Sequence, residues 1–493
     1  MTKMKHGAKI NKSSGDKRKS RSWIYAYFFI FRKRVNFMKQ NNKMSEMPVK
    51  KLMISMGIPM ILSMMLQAVY NIVDSAFVGR IADHGEEALN ALTLAFPVQM
   101  LMIAIAIGTG VGMGAVVSMQ LGQKNQEYAS QAAGNALFLG CIIYVIFLLF
   151  GIFGTRTYIS SQTSNLLIMD MAVSYLQICC IISFGIVFFS IFEKLLQSTG
   201  NSLYSTIAQV VGAVVNIILD PIFIYGWLGV PTLGVKGAAY ATVIGQIFSM
   251  ILAYIFHIQK NRDIHNDFTY MKPSAKIIRQ IYAIGIPAII AQALMSIMTY
   301  GLNLILVRID ESVVTAYGIY YKIQQFILFA AFGLRDAITP IVSFSYGSKN
   351  KYRIQEGIKY GLLYTITIMF VGTVLMEILA GQLSEMFGLS GRTKIICVSA
   401  IRIISISYVF AGANIAYQGI FQALESGKES LLVSVCRQFL LVLPVAWGFS
   451  HIVGHNVNIT WLVWITFIIA EGISCLISFT FMKKIHYIKI ENF

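Results

Sequence analysis

Long apolar runs separated by short polar connections dominate the chain from about residue 52 onward. A helix needs about 20 mostly apolar residues to cross a bilayer, and twelve runs reach or exceed that length. We therefore predict an all-α polytopic membrane protein with twelve transmembrane helices. The predicted runs are 52–79, 90–120, 132–154, 166–197, 203–226, 235–257, 277–307, 313–345, 357–380, 396–423, 430–450 and 460–482.

The sequence also repeats itself. Residues 57–80 align without a gap to residues 285–308 at an offset of 228, and 121–126 corresponds to 346–351 at an offset of 225. Because each half holds an even number of spans, the halves enter the membrane in the same orientation, related by an axis along the membrane normal. The repeat therefore predicts two pseudosymmetric six-helix bundles.

The polar segments suggest where these bundles begin and end. A basic N-terminal extension precedes them, and it is either disordered, an interfacial anchor, or a stretch upstream of a true start at Met38 or Met44. The predicted organisation is the extension 1–43, an N-terminal lobe 44–257, a cytoplasmic linker 258–275, a C-terminal lobe 276–482 and a cytoplasmic tail 483–493.

Composition and charge exclude several classes of protein. Apolar residues make up 56% and charged residues only 13%, against 45–50% and ~25% in ordinary soluble domains. Of the net charge of +18, most lies in residues 1–51, which hold 15 basic and two acidic residues, so we predict no nucleic-acid partner. Basic residues also concentrate on the side of the membrane that holds both termini, which the positive-inside rule assigns to the cytoplasm.

Ionisable residues inside predicted spans are costly and indicate function. Asp74 lies in the first run, one turn after Tyr70, and Asp220 lies in the fifth run with Asn216 on the same helical face. Asp74 aligns with Leu302 in the repeat, so the halves share a scaffold but not this chemistry. The structural alternative is that Asp74 caps or bonds a neighbouring helix and that Asp220 bonds locally at the helix break made by Pro221.

Other candidate features are weaker. The segment 108–114 is rich in glycine, but it lies inside an apolar run, so we interpret it as close helix packing and not as a phosphate loop. Glu193 and Lys194 are expected at the membrane interface. Further charges within spans, for which interfacial and functional roles stay open, are Lys322, Arg335, Asp336, Glu377, Arg437 and Glu471.

An ordered set of motifs resembles the multidrug and toxic compound extrusion (MATE) family, most closely its MepA-like and DinF-like bacterial members. No single motif is specific, but the ordered set combined with the duplicated twelve-span plan is, and the resemblance covers essentially the whole chain from about residue 44 onward. The motifs are Gly57-Ile58-Pro59, Val73-Asp74-Ser75-Ala76-Phe77-Val78-Gly79-Arg80, Leu121-Gly122-Gln123, Gln197-Ser198-Thr199-Gly200-Asn201 and the segment from Asn216 to Gly226.

The resemblance implies secondary active efflux of amphipathic cationic compounds in exchange for protons or sodium ions. It places a cation-coupling cluster at Tyr70, Asp74, Asn216, Asp220 and Thr242. The expected substrate contacts are Gln67, Tyr70, Asp74 and Asn216. The chain departs from the NorM-like branch, because residues 285–307 and 403–423 contain no acid, which argues against a sodium site in the C-terminal lobe.

The resemblance also implies a multi-pass protein of the bacterial inner membrane, with both termini cytoplasmic, no cofactor beyond the coupling ion, no resident metal and a monomeric state. One alternative is a lipid-linked oligosaccharide flippase of the same superfamily, which the acidic character of the predicted cavity disfavours. A membrane-embedded enzyme is a second alternative, but the sequence holds no H-E-x-x-H or G-x-S-x-G motif.

Overall fold

A computed structural model describes residues 43–81 and 84–491, so the predicted N-terminal extension, apart from Lys43, lies outside the described residues. The N-terminal unit, which ends at Met47, contributes the one-turn helix Lys43–Glu46. The described residues of the second unit, from Pro48 onward, are helical and contain no β-strand.

The described residues of the second unit form twelve membrane-length helical elements when each bent pair is counted as one, which confirms the predicted number. Ten are continuous enough to cross a membrane, and two bent pairs complete the set. The helices are α1 Val49–Val78; α2 Gly85–Gly122; α3 Gln126–Leu149 with the turns Phe150–Gly154 and Thr155–Ser160; α4 Leu166–Ile181 and Phe184–Ser198; α5 Ser202–Tyr225; α6 Val235–Lys260; α7 Ala275–Leu306; α8 Glu311–Gly347; α9 Lys351–Met386; α10 Gly391–Ser405 and Tyr408–Ala423; α11 Gly427–Val435, Cys436–Leu440 and Val442–Val453; and α12 Trp461–His486.

Two of these helices differ from the sequence prediction, because α4 bends by 47° and α10 by 51° where continuous runs were expected. Each bend contains a buried serine, Ser183 in α4 and Ser407 in α10. The Ser407 hydroxyl donates to the Ile404 carbonyl at 2.7 Å, a local bond that bends helices. Hydropathy alone does not report such a bend, since the run remains apolar on both sides of it.

The bends fall at equivalent places, because the offset of 225 relates the two halves helix by helix from α2 onward. The turns after α2 and α8 illustrate this relationship. Lys124 and Lys349 both have positive φ, 60° and 54°. The next residues, Asn125 and Asn350, cap the following helices by accepting from a backbone N–H at 3.1 Å. The sequence echo is therefore a repeated turn and helix cap.

The two halves meet through pairs of helices, with α1 packed on α8 and α2 packed on α7. Glycines permit this approach. A Cβ added to Gly108 of α2 would lie 2.9 Å from the Gly285 carbonyl oxygen of α7, and one added to Gly285 would lie 2.8 Å from the Gly108 carbonyl oxygen. The close-packing interpretation of segment 108–114 is confirmed.

The apolar core is divided in the same way. One buried cluster contains residues between Val78 and Val243, and a second contains residues between Met298 and Ala470. A small cluster of Val111, Ala115 and Ile284 lies where α2 meets α7. This division agrees with two bundles, while the predicted lobe boundaries stay predictions.

Candidate functional site

Three helices of the N-terminal half bring the predicted coupling residues together. Asn216 and Asp220 lie one turn apart on α5, and the Asn216 amide nitrogen is 3.5 Å from the Asp220 carboxylate. The same nitrogen is 3.4 Å from the Thr242 hydroxyl on α6. Both contacts are longer than a typical hydrogen bond, so Asn216 leaves the aspartate only weakly satisfied.

Asp74 reaches this cluster from α1, and two contacts hold α1 against α5. Near the end of the helices, the Tyr225 hydroxyl donates to the Phe77 carbonyl at 2.6 Å. Two turns before Asp74, the Gln209 amide donates to the Gln67 side-chain carbonyl at 3.2 Å. Asp74 and Tyr70 therefore lie on the stretch of α1 between these two ties.

The cluster is buried, and three of its side-chain oxygens lack a donor. Asp220 is fully buried, and Asp74, Asn216 and Thr242 are each less than a tenth exposed. One oxygen each of Asp74, Asn216 and Asp220 is buried without a hydrogen-bond partner. A buried, unpaired acceptor is costly, and a carboxylate among such acceptors is satisfied by a proton or a small cation.

No basic side chain of the described residues lies within ion-pair distance of either aspartate, since the six ion pairs found there involve other acids. Asp74 lies within electrostatic reach of Asp220, and Tyr70 interacts with both. The structure thus brings all five predicted coupling residues into one cluster. Their roles stay predictions.

An open cavity of about 750 Å³ adjoins the cluster. Gln67, Tyr70, Asn216 and Thr242 contribute to its wall, whereas Asp74 and Asp220 do not. Of the predicted substrate contacts, Asp74 therefore has no place in the cavity wall in this structure. The remaining wall is largely apolar, with Met64, Ile103, Ile107 and Phe189 among its residues.

The sequence prediction for Glu193 and Lys194 was wrong. Both are buried inside the protein, 7% and 5% exposed, and both line this cavity instead of the membrane interface. Lys194 forms an ion pair with Asp336 of the other half at 2.6 Å, and Asp336 also pairs with Arg335 at 2.9 Å. These charges compensate one another across the junction between the halves.

A signal for this cluster exists in the sequence. Ser190, Glu193 and Gln197 recur three and four residues apart in an otherwise apolar run, which places polar groups on one helical face. Asp336, the partner of Lys194, lies 142 residues further along the chain. No local spacing indicates that pairing.

The C-terminal half holds a different polar pair. The Arg437 Nε donates to Glu471 at 2.6 Å, and the second oxygen of Glu471 accepts from the Asn414 amide at 2.8 Å. Both charged residues line a cavity of about 510 Å³ with Met295, Tyr321 and Phe467. Glu471 is therefore compensated by a cation, unlike the two aspartates of the N-terminal half.

A duplicated twelve-helix membrane protein with buried carboxylates beside a cavity has the architecture of a secondary transporter. The MatE family model matches residues 59–222 and 287–447. The chain belongs to the MATE family, whose members are transporters and not enzymes. The resemblance inferred from the motifs is confirmed.

Individual proteins agree with this assignment. The multidrug export protein MepA of Staphylococcus aureus strain MRSA252 is 27% identical over 442 residues, which is 87% of this chain and 92% of that protein. An outward-facing multidrug resistance MATE family transporter of the MOP superfamily is 25% identical, with a TM-score of 0.84 over 91% of this chain and 98% of that one. A MOP superfamily transporter from Pyrococcus furiosus Vc1, described as having a binding pocket of reverse polarity, is 25% identical with a TM-score of 0.81 over the same shares.

Proposed function

We propose that this protein is a multidrug efflux antiporter that exports amphipathic cationic compounds in exchange for protons or sodium ions by alternating access. The observation that carries the proposal is the pair of buried aspartates, with unpaired oxygens and no basic partner among the described residues, beside a cavity lined by both apolar and polar side chains. The name of the staphylococcal relative, a multidrug export protein, supports drug export as the function.

The electrostatics support exchange between the ion and the drug. While Asp74 and Asp220 are ionised, their charge attracts a cationic compound into the cavity. A proton or a cation that binds to the carboxylates removes this charge and weakens that attraction. Two ligands that oppose each other's binding in this way are coupled with the sign that antiport requires.

Proteoliposomes provide the test. Efflux of the dye ethidium is measured under an imposed proton gradient and, separately, under an imposed sodium gradient, for the wild type and Asp74→Asn. We expect one gradient to drive efflux and Asp74→Asn to abolish it. Asp170→Asn, the same chemical change at an exposed position of α4, is the matched control and keeps wild-type flux. Absence of flux under both gradients in the wild type would refute the proposal and favour the flippase alternative.

The membrane setting is proposed on the same footing. The excess of basic residues in the connections on one side supports an inner-membrane protein with both termini in the cytoplasm, and the two halves together supply a complete pathway within a monomer. Labelling of single cysteines introduced at Lys124 and Arg156, in connections on opposite sides, tests the orientation. Only the second is expected to react with a membrane-impermeant maleimide in intact cells.

A further inference from the structure

Glu193 is an acid that the coupling cluster does not include. It lies on the second segment of α4, is 7% exposed and lines the same cavity as Tyr70, Asn216 and Thr242. A charged side chain within a membrane-spanning helix is costly and requires a reason. The contacts of Glu193 with the other described residues show which of its carboxylate oxygens remains available to a ligand.

Among the described residues, the hydrogen bond and the ion pair of Glu193 both involve one carboxylate oxygen, Oε1. The Gln197 amide donates to Oε1 at 2.9 Å, and Lys194 Nζ lies 4.0 Å from the same atom. Among the described residues no donor is found for Oε2. Because Oε2 is not among the fully buried oxygens that lack a partner, it is accessible in the cavity wall.

Lys194 pairs with Glu193 only at 4.0 Å because Asp336 holds its ammonium group more closely, at 2.6 Å. Its ammonium group lies 2.6 Å from Asp336 on α8 and 3.0 Å from the Gln197 carbonyl oxygen. Asp336 is 7% exposed and does not belong to the wall of the N-terminal cavity. The direct ion pair of Lys194 is therefore made across the junction, away from the cavity that Glu193 lines.

Glycines on neighbouring helices make room for the side chains of Lys194 and Arg335. A Cβ at Gly110 would lie 2.9 Å from the Lys194 side chain, and one at Gly419 would lie 2.9 Å from the Arg335 side chain. The offset of 225 relates Gly110 to Arg335 and Lys194 to Gly419, so each half pairs a cation with a glycine on opposite helices. The two cations that converge on Asp336 thus occupy positions where the other half has no side chain.

We propose that Glu193 binds the positive charge of an amphipathic monocationic ligand in the N-terminal cavity, at a position separate from Asp74 and Asp220. Asp336 is a positioning residue, which holds Lys194 away from Glu193. The apolar walls at Met64, Ile107 and Phe189 take the body of the ligand. This inference rests on the proposed function. It assigns the cationic substrate to Glu193 and the coupling ion to Asp74 and Asp220.

The first experiment measures binding of tetraphenylphosphonium to the full chain in nanodiscs by equilibrium dialysis. Glu193→Gln is expected to weaken binding about tenfold, as the loss of one charge interaction in a partly buried site would produce. Glu127→Gln, the same change at an exposed acid in α3, is the matched control and binds like the wild type. Wild-type affinity in Glu193→Gln would overturn the proposal.

The second experiment separates this role from a purely structural one. Asp336→Asn is expected to weaken binding as well, because the released Lys194 then pairs with Glu193 and competes with the ligand. The double variant Lys194→Gln/Asp336→Asn is expected to recover most of the affinity. Recovery requires the competition, so a double variant that binds as weakly as Asp336→Asn would overturn the assignment of Asp336.

The outcomes also distinguish this inference from the proposed function. If the wild type shows driven dye efflux and yet Glu193→Gln binds normally, only the inference fails. If the wild type shows no efflux under either gradient, the proposed function fails. Elution of each variant as a single peak in size-exclusion chromatography confirms that the comparison is made on folded protein.

Discussion

The two halves of the molecule have one architecture and two chemistries. In the N-terminal half, Asp74 and Asp220 are buried beside a cavity without a basic partner among the described residues. In the C-terminal half, Glu471 is held by Arg437 at 2.6 Å. Asp74 and Asp220 therefore have no fixed counter-ion among the described residues, whereas Glu471 already has one.

The difference arises at equivalent positions of the repeat. At the offset of 225, Arg437 corresponds to Gly212 and Glu471 to Gln246, both of which line the N-terminal cavity, and Phe467 corresponds to Thr242. The C-terminal half therefore has an ion pair at two positions that are uncharged in the N-terminal half, and Arg437 lies in the segment Cys436–Leu440 that interrupts α11, whereas α5 is continuous. A duplicated scaffold thus allows equivalent positions of the two halves to differ in charge.

The strongest test of this contrast makes the same acid-to-amide change in both halves. Glu471→Gln leaves Arg437 buried without a counter-ion and is expected to destabilise the protein by about 3–5 kcal/mol. Asp220→Asn removes a charge that has no basic partner and is expected to leave stability equal or higher. Thermal unfolding in detergent, followed by intrinsic fluorescence, measures both. Equal midpoints for the two variants would contradict the contrast.

The next test compares the stability of variants at equivalent positions, where the two halves are expected to behave alike. Gly122 and Gly347 are equivalent, and a Cβ at either would clash with a backbone carbonyl of the opposite half, that of Phe344 or Met119. Gly122→Ala and Gly347→Ala are each expected to cost about 1–3 kcal/mol through overpacking. Gly318→Ala, with nothing within 4 Å of the new methyl group, is the control. A large difference between the first two variants would show that the junction is not symmetric.

A smaller effect is expected at an equivalent pair of hydrogen bonds. The Ser118 hydroxyl donates to the Ser198 carbonyl at 2.9 Å, and the Ser343 hydroxyl donates to the Ala423 carbonyl at 3.1 Å. Ser118→Ala and Ser343→Ala are each expected to reduce the free energy of unfolding by about 1 kcal/mol. Chemical denaturation in mixed micelles compares them, and a loss confined to one variant would break the symmetry.

The smallest effect distinguishes how α2 and α8 begin. Asp310 caps α8 by accepting from the Ser312 N–H at 2.8 Å, whereas His84 before α2 makes no side-chain cap. The bonds from Ser312 lower the pKa of Asp310 below its ordinary value of 3.8. The ionised cap therefore contributes stability above that pH and loses it as the pH falls through the lower folded-state value.

Asp310→Asn is the comparison variant, since asparagine caps a helix without titrating near that pH. We expect the wild type to lose thermal stability relative to Asp310→Asn only when the pH falls below about 4. Unfolding midpoints of both proteins across pH 3 to 6 measure this change. A difference between the two midpoints that does not vary with pH would contradict it.

Much of the fold was predictable because bilayer thickness imposes a simple rule on sequence. Any element that crosses lipid must bury its backbone polar groups in a helix of about 20 residues, so the twelve runs could be counted. Asp74 and Asp220 were found because an acid in such a run is rare. The sequence did not indicate the bends at Ser183 and Ser407, because an apolar run that contains a serine looks the same whether or not its helix bends.

The pairing of charges, in contrast, could not be predicted from the sequence. Lys194 and Asp336 are 142 residues apart, and Arg437 and Glu471 are 34 apart. A sequence lists these charges but does not state which ones meet. Glu193 was assigned to the interface because the end of its helix is near, whereas the packing of α4 on α2 and α6 buries it in the cavity wall.

By itself, the sequence determined the number of spans, the duplication and the unusual acids, because hydropathy, repeat spacing and the rarity of intramembrane charge are properties of residue order. Only the tertiary structure decided which acids are compensated. Compensation depends on distances between helices from different parts of the chain, and those distances are set by how glycines such as Gly108 and Gly285 let the helices approach. For this transporter, those distances separate the carboxylates that have no basic partner among the described residues from those held in fixed ion pairs.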